Sequence, residues 1–440
     1  MADQLQEPVL SPGQSDYSHA WRAMRHRNFR HFQTGQAISL IGTWMTRVAT
    51  AWLVYRLTKS PWMLGAIGFA SQIPMFLLAP IAGVVIDRVD RHKLLTITQV
   101  LFGINTLLLA ALTLSHTITI PLLFVLSVVQ GLINTLDMPT RQSLFVRMVG
   151  SREDLSNAIA INSSMFNVAR LVGPSIAGLL IAATSEGWCF LVDGVSYGAV
   201  IVSLLLMRIE KAEPAPVSSG AISQLHDGWK YVAHSVPIRS ILLMFAVASL
   251  MAWPFTVLLP VFAAQVLHGG ANTLGFLMGA LGLGALIASI SLAARRSIRG
   301  LAGNLPLAAT VVGVGLICFG LSNLMAISLA LMLIIGFGLL QWTISTNTIL
   351  QTIVEEEMRG RVVSYYTMVL EGMAPWGSLI AGAMANHFGA QHAVMISGVA
   401  CLLGALWFWS RLERIRAAIR PIYERLGIVP RLTIADSPES

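Results

Sequence analysis

At 440 residues, 55% hydrophobic and only 11% charged, with a mean hydropathy of +0.70, the chain carries more apolar side chain than a soluble core can hide. That composition excludes a soluble globular protein and points to the membrane. The net charge of +8 suits anionic inner-leaflet headgroups rather than nucleic acid, because no basic domain stands apart from the apolar segments.

Residues 1–31 are polar and read as an N-terminal cytoplasmic segment without a cleavable signal peptide. A helix needs roughly 20 apolar residues to cross the hydrocarbon layer. Twelve runs meet that length: 32–57, 62–86, 94–114, 118–137, 155–183, 188–206, 240–265, 273–293, 304–322, 326–348, 361–386 and 391–410. The fold class is therefore an all-α integral membrane protein, with six transmembrane helices over 32–207, a linker over 208–237, six more over 238–410 and a cytoplasmic tail over 411–440. The linker opens with the Pro- and Ser-rich stretch from Glu210 to Gly220. Ile222, Leu225, Trp229 and Val232 then follow at helical spacing, forming one apolar face for a helix lying in the interface.

Of the 29 Lys and Arg residues, Arg47 and Arg170 lie well inside runs and Arg56 and Lys59 at the first outer loop; the rest lie at or beyond the opposite ends of the runs. By the positive-inside rule both termini are cytoplasmic. Cys189, Cys318 and Cys401 lie in three separate runs, so neither a disulfide framework nor a metal site is expected. No cofactor motif is found either.

The chain repeats itself. Trp21 to Arg30, before the first run, is echoed by Trp229 to Arg239 before the seventh. Gly173-Pro-Ser-Ile-Ala-Gly178 in the fifth run recurs as Gly377-Ser-Leu-Ile-Ala-Gly382 in the eleventh. Two halves of six spans in the same orientation account for both, as in many secondary transporters.

Between the second and third runs, Gly83-Val-Val-Ile-Asp-Arg-Val-Asp-Arg-His-Lys-Leu-Leu95 concentrates charge. Gly83, Asp87, Arg88 and Arg91 resemble the loop signature of the major facilitator superfamily, with His92 in place of its last basic residue. Thr58 to Pro61, Asp137-Met-Pro-Thr-Arg-Gln142, Asn157-Ala158, Arg170-Leu-Val-Gly-Pro174 and Arg359-Gly-Arg361 resemble the exporter branch that holds bacterial macrolide-efflux and enterobactin-export proteins. The resemblance covers roughly residues 20–410. It implies the major facilitator fold in a bacterial inner membrane, two six-helix bundles acting as a monomer, and proton-coupled export of small molecules by alternating access.

The resemblance also implies site residues. Asp87 faces the cytoplasmic start of the eleventh span, whose N-terminus carries partial positive charge. Arg88, Arg91, Arg141, Arg359 and Arg361 complete a conformational gate on the cytoplasmic side. The second-half counterpart, Gly284 followed by Arg295 to Arg299, lacks the acid. Gly173, Pro174 and Gly178 match the fifth-span antiporter signature and form a pliant helix interface. Spans 1, 4, 7 and 10 line the cavity in this family, which puts Gln36, Trp44, Gln130, Asn134, Trp253, Phe255, Gln341 and Trp342 at the cargo. Each of these also suits plain helix packing.

Ionisable residues within spans are costly and mark function by default. Glu371 is the candidate proton carrier, because a carboxyl group changes protonation state where arginine stays charged; a fixed ion pair with Arg47 or Arg170 is the competing role. Asp137 and Asp193 read as solvated or gate positions. Gly194-Val-Ser-Tyr-Gly198 matches a hydrolase nucleophile motif but lies inside an apolar helix, and there is no phosphate-binding loop, so no enzyme is expected. An importer or a non-transporting sensor of the same fold is the alternative.

Overall fold

In lipid every backbone N–H and C=O must be satisfied within the segment, and the apolar runs accordingly fold as helices throughout. The computed structural model describes residues 19–149, 152–208, 221–295, 299–426 and 428. The linker stretch 210–220, Arg296 and the tail after Pro430 lie outside the described residues. A short 3-10 helix, His19–Arg25, precedes α1 (Arg27–Thr58), α2 (Pro61–Arg88), α3 (Arg91–Leu114), α4 (Ile120–Val149), α5 (Arg152–Ala183) and α6 (Glu186–Leu206). Then come α7 (Ala221–His234), α8 (Val236–Val266), α9 (Ala271–Ala293), α10 (Leu301–Leu321), α11 (Met325–Ile353), α12 (Glu356–Phe388) and α13 (Ala390–Arg425).

Among the described residues, 11 helices are long and apolar enough to cross a membrane. The 33-residue α12 is long enough but falls short on apolarity, because Glu371, Pro375 and a run of Gly and Ser interrupt it. Several helices outrun their apolar stretches at the arginine-rich end: α4 continues to Val149, α11 to Ile353 and α13 to Arg425. Their extra turns hold polar residues that no hydrophobic count includes.

Local chemistry sets the boundaries. Lys59 adopts a left-handed φ of 52° to close α1, and Ser60 then caps α2 by accepting from the Met63 N–H at 3.3 Å, with Pro61 in the first turn. Asp90 caps α3 through the N–H groups of His92 and Lys93 at 3.0 and 3.3 Å. Part of the charge in the Gly83–Leu95 stretch is therefore helix punctuation. Near Pro254 and Pro260, α8 loses α-helical regularity: π turns at Ala248–Ala252 and Phe262–Val266 flank a 3-10 segment at Trp253–Leu258.

The same packing pattern occurs twice. In the first six helices α1 packs on α5 and α6, α2 on α4, and α3 on α4 and α6; in the last six α8 packs on α12 and α13, α9 on α11, and α10 on α11 and α13. The two sets meet mainly through α5 against α9 and α2 against α12. Glycine permits both approaches. A Cβ on Gly178 would lie 2.7 Å from the Ala271 carbonyl oxygen and 3.0 Å from Gly275 Cα; one on Gly382 would lie 2.9 Å from Gly65 Cα. Both seams lie toward the arginine-poor end, which carries the connections 59–60, 184–185, 267–270 and 389. Toward the arginine-rich end, a Cβ on Gly83 or Gly360 would meet nothing within 4 Å.

Of the linker helix face, Val232 is buried whereas Trp229 is 58% exposed, beside Tyr365 at a ring distance of 6.2 Å. The side chains of Ile222 and Leu225 lie outside the described ones. Gly228 brings α7 onto α12, where a Cβ would come within 3.2 Å of Arg361 Cβ.

Candidate functional site

Halfway along the molecule, side chains from both sets of helices converge. Trp44 and Arg47 come from α1, Phe166, Arg170 and Gly173 from α5, Trp253 from the irregular stretch of α8, and Glu371 from α12. The Arg47 guanidinium carbon sits 4.8 Å from the centre of the Trp44 ring. That of Arg170 lies 5.8 Å from Trp44 and 5.2 Å from Trp253, bridging the two indoles across the halves. Each such contact stabilises by roughly 0.5–2 kcal/mol, more where water is excluded. Phe166 braces Trp44 edge-on at 5.7 Å.

Gly173 makes this arrangement possible, since a Cβ there would come within 2.6 Å of Trp44 Cβ. Its repeat partner Gly377 does the same for α8, where a Cβ would meet Pro254 Cγ at 2.4 Å. Arg47 is surrounded by protein at mid-depth yet solvent-exposed, and Glu371 is partly exposed, so both border open space rather than packed core. Arg47 is the cation whose field acts on Glu371, while Arg47 and Arg170 repel one another. Among the described residues Glu371 has no ion pair within 4.0 Å and no hydrogen bond.

Other candidate cavity residues divide by accessibility. Gln130, Asn134 and Gln341 are partly accessible; Gln130 accepts from Asn105 Nδ2 at 3.1 Å and Gln341 donates to Ser291 Oγ at 2.8 Å. Asn134 lies 3.9 Å from the Met75 sulfur. Gln36, Phe255 and Trp342 are buried, at 3%, 1% and 1% exposure. Gln36 is directed to Arg141, which donates to its Oε1 at 2.8 Å.

Among the described residues the charged loops hold two local pairs. Asp87 pairs with Arg91 at 3.0 Å, and Arg141 with Asp137 at 2.6 Å. Asp87, Arg88 and Arg359 are exposed, and Gly83 is open to its surroundings. Arg361 Nη1 lies 3.5 Å from Met358 Sδ. The sequence reads Asp137 and Asp193 as solvated or gate positions; at 3% and 0% exposure they are not solvated. Asp137 is buried because Thr98 and Gln99 donate to its Oδ1 at 2.8 and 2.5 Å while Arg141 takes Oδ2. Asp193 fits where Gly42 leaves room, with Ser196 donating to its backbone oxygen at 2.7 Å. Phe166, Thr98 and Gln99 carry no sequence signal that separates them from ordinary helix filling.

A profile described as transmembrane secretion effector matches residues 18–422. The chain belongs to that family. It is a transporter family of the major facilitator superfamily, and the protein is a multi-pass membrane transporter of small molecules, not an enzyme. Relatives of the chain include the staphyloferrin A transporter of Staphylococcus aureus, 25% identical over 88% of this chain and 97% of that protein. The multidrug efflux pump Tap of Mycolicibacterium fortuitum is 24% identical over 86% and 95%, and the enterobactin exporter EntS of Shigella flexneri 25% over 86% and 92%. The fold is similar to that of the peptide transporter POT, with a TM-score of 0.71 at 13% identity over 89% of this chain and 95% of that one. A bacterial homolog of the human lysosomal transporter Spinster, crystallised inward-facing and unoccupied, has a TM-score of 0.63 at 14% identity over 96% and 100%.

Proposed function

We propose that the protein is a proton-coupled exporter that moves drug-like or siderophore-like molecules out of the bacterial cell by alternating access. The observation that carries this reading is the mid-depth cluster in which Arg170 bridges Trp44 and Trp253 while Arg47, on the Trp44 ring, is the cation acting on Glu371, a carboxyl group without an ion-pair partner among the described residues. Indole faces suit aromatic or branched cargo, and the arginines supply donors for its oxygen atoms. Siderophore and drug exporters among the relatives support that cargo class.

The duplicated packing pattern supports twelve spans in two six-helix bundles, with α12 as the one span whose polarity hides it. Lysine and arginine asymmetry supports cytoplasmic termini and an inner-membrane location. On that orientation the glycine seams close the outer end while Gly83 and Gly360 face open space at the cytoplasmic end, so the conformation reads as inward-open. The latch expected between Asp87 and the start of α12 is unmade in such a state; Asp87 instead holds Arg91.

Proton coupling follows from competition at one carboxylate. Cargo that donates hydrogen bonds to ionised Glu371 excludes a proton from it, and a proton there removes the negative charge and turns one oxygen into a donor, so the two occupy the site on different legs of the cycle. The charged and titratable groups whose fields reach Glu371 are Arg47 from α1 and Tyr366 from α12 itself. Cargo affinity therefore rises with pH. Binding of a panel of macrolides, cationic dyes and catecholate siderophores to purified protein, followed by tryptophan fluorescence across pH, tests this. A bound compound whose affinity increases with pH in the native protein and becomes flat with pH in Glu371→Gln supports the reading; identical profiles in both rule it out.

A further inference from the structure

We propose a second binding site, for the phosphate headgroup of an anionic phospholipid, between the start of α10 and the far end of α13. A cavity of about 380 Å³ lies there, lined by Arg299, Gly300, Ala302, Arg416, Ile419, Arg420 and Tyr423. It is well removed from the Trp44–Glu371 cluster along the chain and in depth. Four features give it anion chemistry.

Three arginines, Arg299, Arg416 and Arg420, are among the lining residues, and one carboxylate, Glu424, pairs with one of them among the described residues. Arg299 is held at the wall by its Nε–H, which donates to the Ile428 carbonyl. Arg420 pairs with Glu424 at 2.9 Å. Arg416 reaches across to α10, where a Cβ on Gly303 would come within 2.9 Å of its Nη2, so the glycine leaves the guanidinium its place. Among the described residues the net formal charge at the rim is thus positive even with Glu424 counted.

Tyr423 is the second feature. It is only 9% exposed, lines the cavity, and its hydroxyl has no hydrogen-bond partner among the described residues. A buried hydroxyl without a partner is unfavourable unless a ligand or water completes it. Third, Gly300 turns the chain with a left-handed φ of 78° and presents the N-terminus of the 21-residue α10 to the cavity, with no side chain capping it. Free N–H groups at a helix start attract anions.

Depth is the fourth feature. At 1.5 Å per residue the 21 residues of α10 span roughly 32 Å, about the thickness of the hydrocarbon layer, so its first turn sits at the boundary. On α13, Trp407 and Trp409 mark the interfacial belt, and Arg411 lies over the Trp407 ring at 4.8 Å. Arg416 stands about 10 Å beyond Trp409 along the helix axis, at headgroup level. Leu412, Ile415, Ile419 and Tyr423 bury one face of this extension against the protein. Basic pockets between helices at that level take acidic headgroups.

A free phosphate would satisfy the same groups, and the test separates the sources. Purified full-length protein in detergent is titrated with phosphatidylglycerol, phosphatidylcholine of the same acyl chains, or inorganic phosphate, with thermal unfolding as readout. Phosphatidylglycerol is expected to stabilise where the other two do not. Its apparent affinity falls about 30-fold in Arg416→Gln/Arg420→Gln and also falls in Tyr423→Phe, whereas Arg414→Gln/Arg425→Gln, which removes equal charge from elsewhere on the same helix, stays within about twofold of native. Equal loss in the control pair would show diffuse surface charge and overturn the site. Matching stabilisation by inorganic phosphate would overturn the lipid assignment, and so would an unchanged affinity in the first double variant. Neither result touches the reading of the Glu371 cluster.

Discussion

Replacing Gly178 by alanine adds one methyl group at a close meeting of the two halves. That Cβ would lie 2.7 Å from the Ala271 carbonyl oxygen and 3.0 Å from Gly275 Cα, both backbone atoms that no rotamer change can move. The seam must therefore part. Overpacking of a tight interface costs about 1–3 kcal/mol, and on the proposed alternating-access cycle, in which the seam closes in one access state, the whole cost falls on that state. A tenfold population change corresponds to about 1.4 kcal/mol, so the ratio of inward-open to outward-open protein should fall by about 5- to 150-fold. Spin labels at Thr117→Cys and Asn323→Cys, both exposed at the arginine-poor end, report its opening once Cys318, the exposed native cysteine, is changed to Ser. A longer distance population should grow in Gly178→Ala and again in Gly382→Ala, whose Cβ meets Gly65 Cα at 2.9 Å. A folded Gly178→Ala protein with the native distance distribution would refute the assignment of the seam as a conformation-specific contact.

The polar clamp at the other end yields a stability prediction. Arg141→Gln leaves buried Asp137 with only Thr98 and Gln99 as donors; because Arg141 is itself 29% exposed, the loss should be about 2–3 kcal/mol, below that of a fully buried pair. Asp137→Asn/Arg141→Gln should recover more than half of it, as read by thermal unfolding of the purified protein. Asp87→Asn acts differently: its pair with Arg91 is surface-exposed, so unfolding should change by less than about 0.5 kcal/mol, while transport and the ratio of access states change. Native transport by that variant removes Asp87 from the gate. Arg170→Gln loses the contacts with both indoles, and quenching of Trp44 and Trp253 by bound cargo should weaken with it; unchanged quenching and affinity would place cargo elsewhere.

Much of this architecture is legible in the chain because a membrane imposes its own ruler: a run of about 20 apolar residues has few alternatives to a spanning helix. The ends are less legible. Past the hydrocarbon, α4 and α13 continue as amphipathic helix, and nothing in a hydropathy count signals Val149 or Arg425 as a terminus. The repeat of Gly173 and Gly178 in Gly377 and Gly382 is visible as a pattern, and the contacts give it meaning: the first glycine of each pair seats a neighbour from α1 or α8, and the second meets a glycine of the opposite half.

At the site, residue type alone singles out Arg47, Arg170 and Glu371, since ionisable groups in spans are rare. Their mutual arrangement depends on helix rotation, which one sequence leaves undetermined. Gln36 illustrates this: its amide group suits a cavity wall, but α1 turns it toward Arg141. Asp137 likewise looks like a solvated helix end until α3 supplies Thr98 and Gln99 from the other side.

The most direct test of the central claim uses everted membrane vesicles, energised to acidify their interior and loaded with a pH-sensitive dye, containing equal amounts of native or Glu371→Gln protein. The same panel of macrolides, cationic dyes and catecholate siderophores is added outside. Proton-coupled export predicts that at least one compound discharges the gradient with native protein and that the effect vanishes with Glu371→Gln. Discharge that persists undiminished in Glu371→Gln, or accumulation of a compound with no discharge at all, would contradict it.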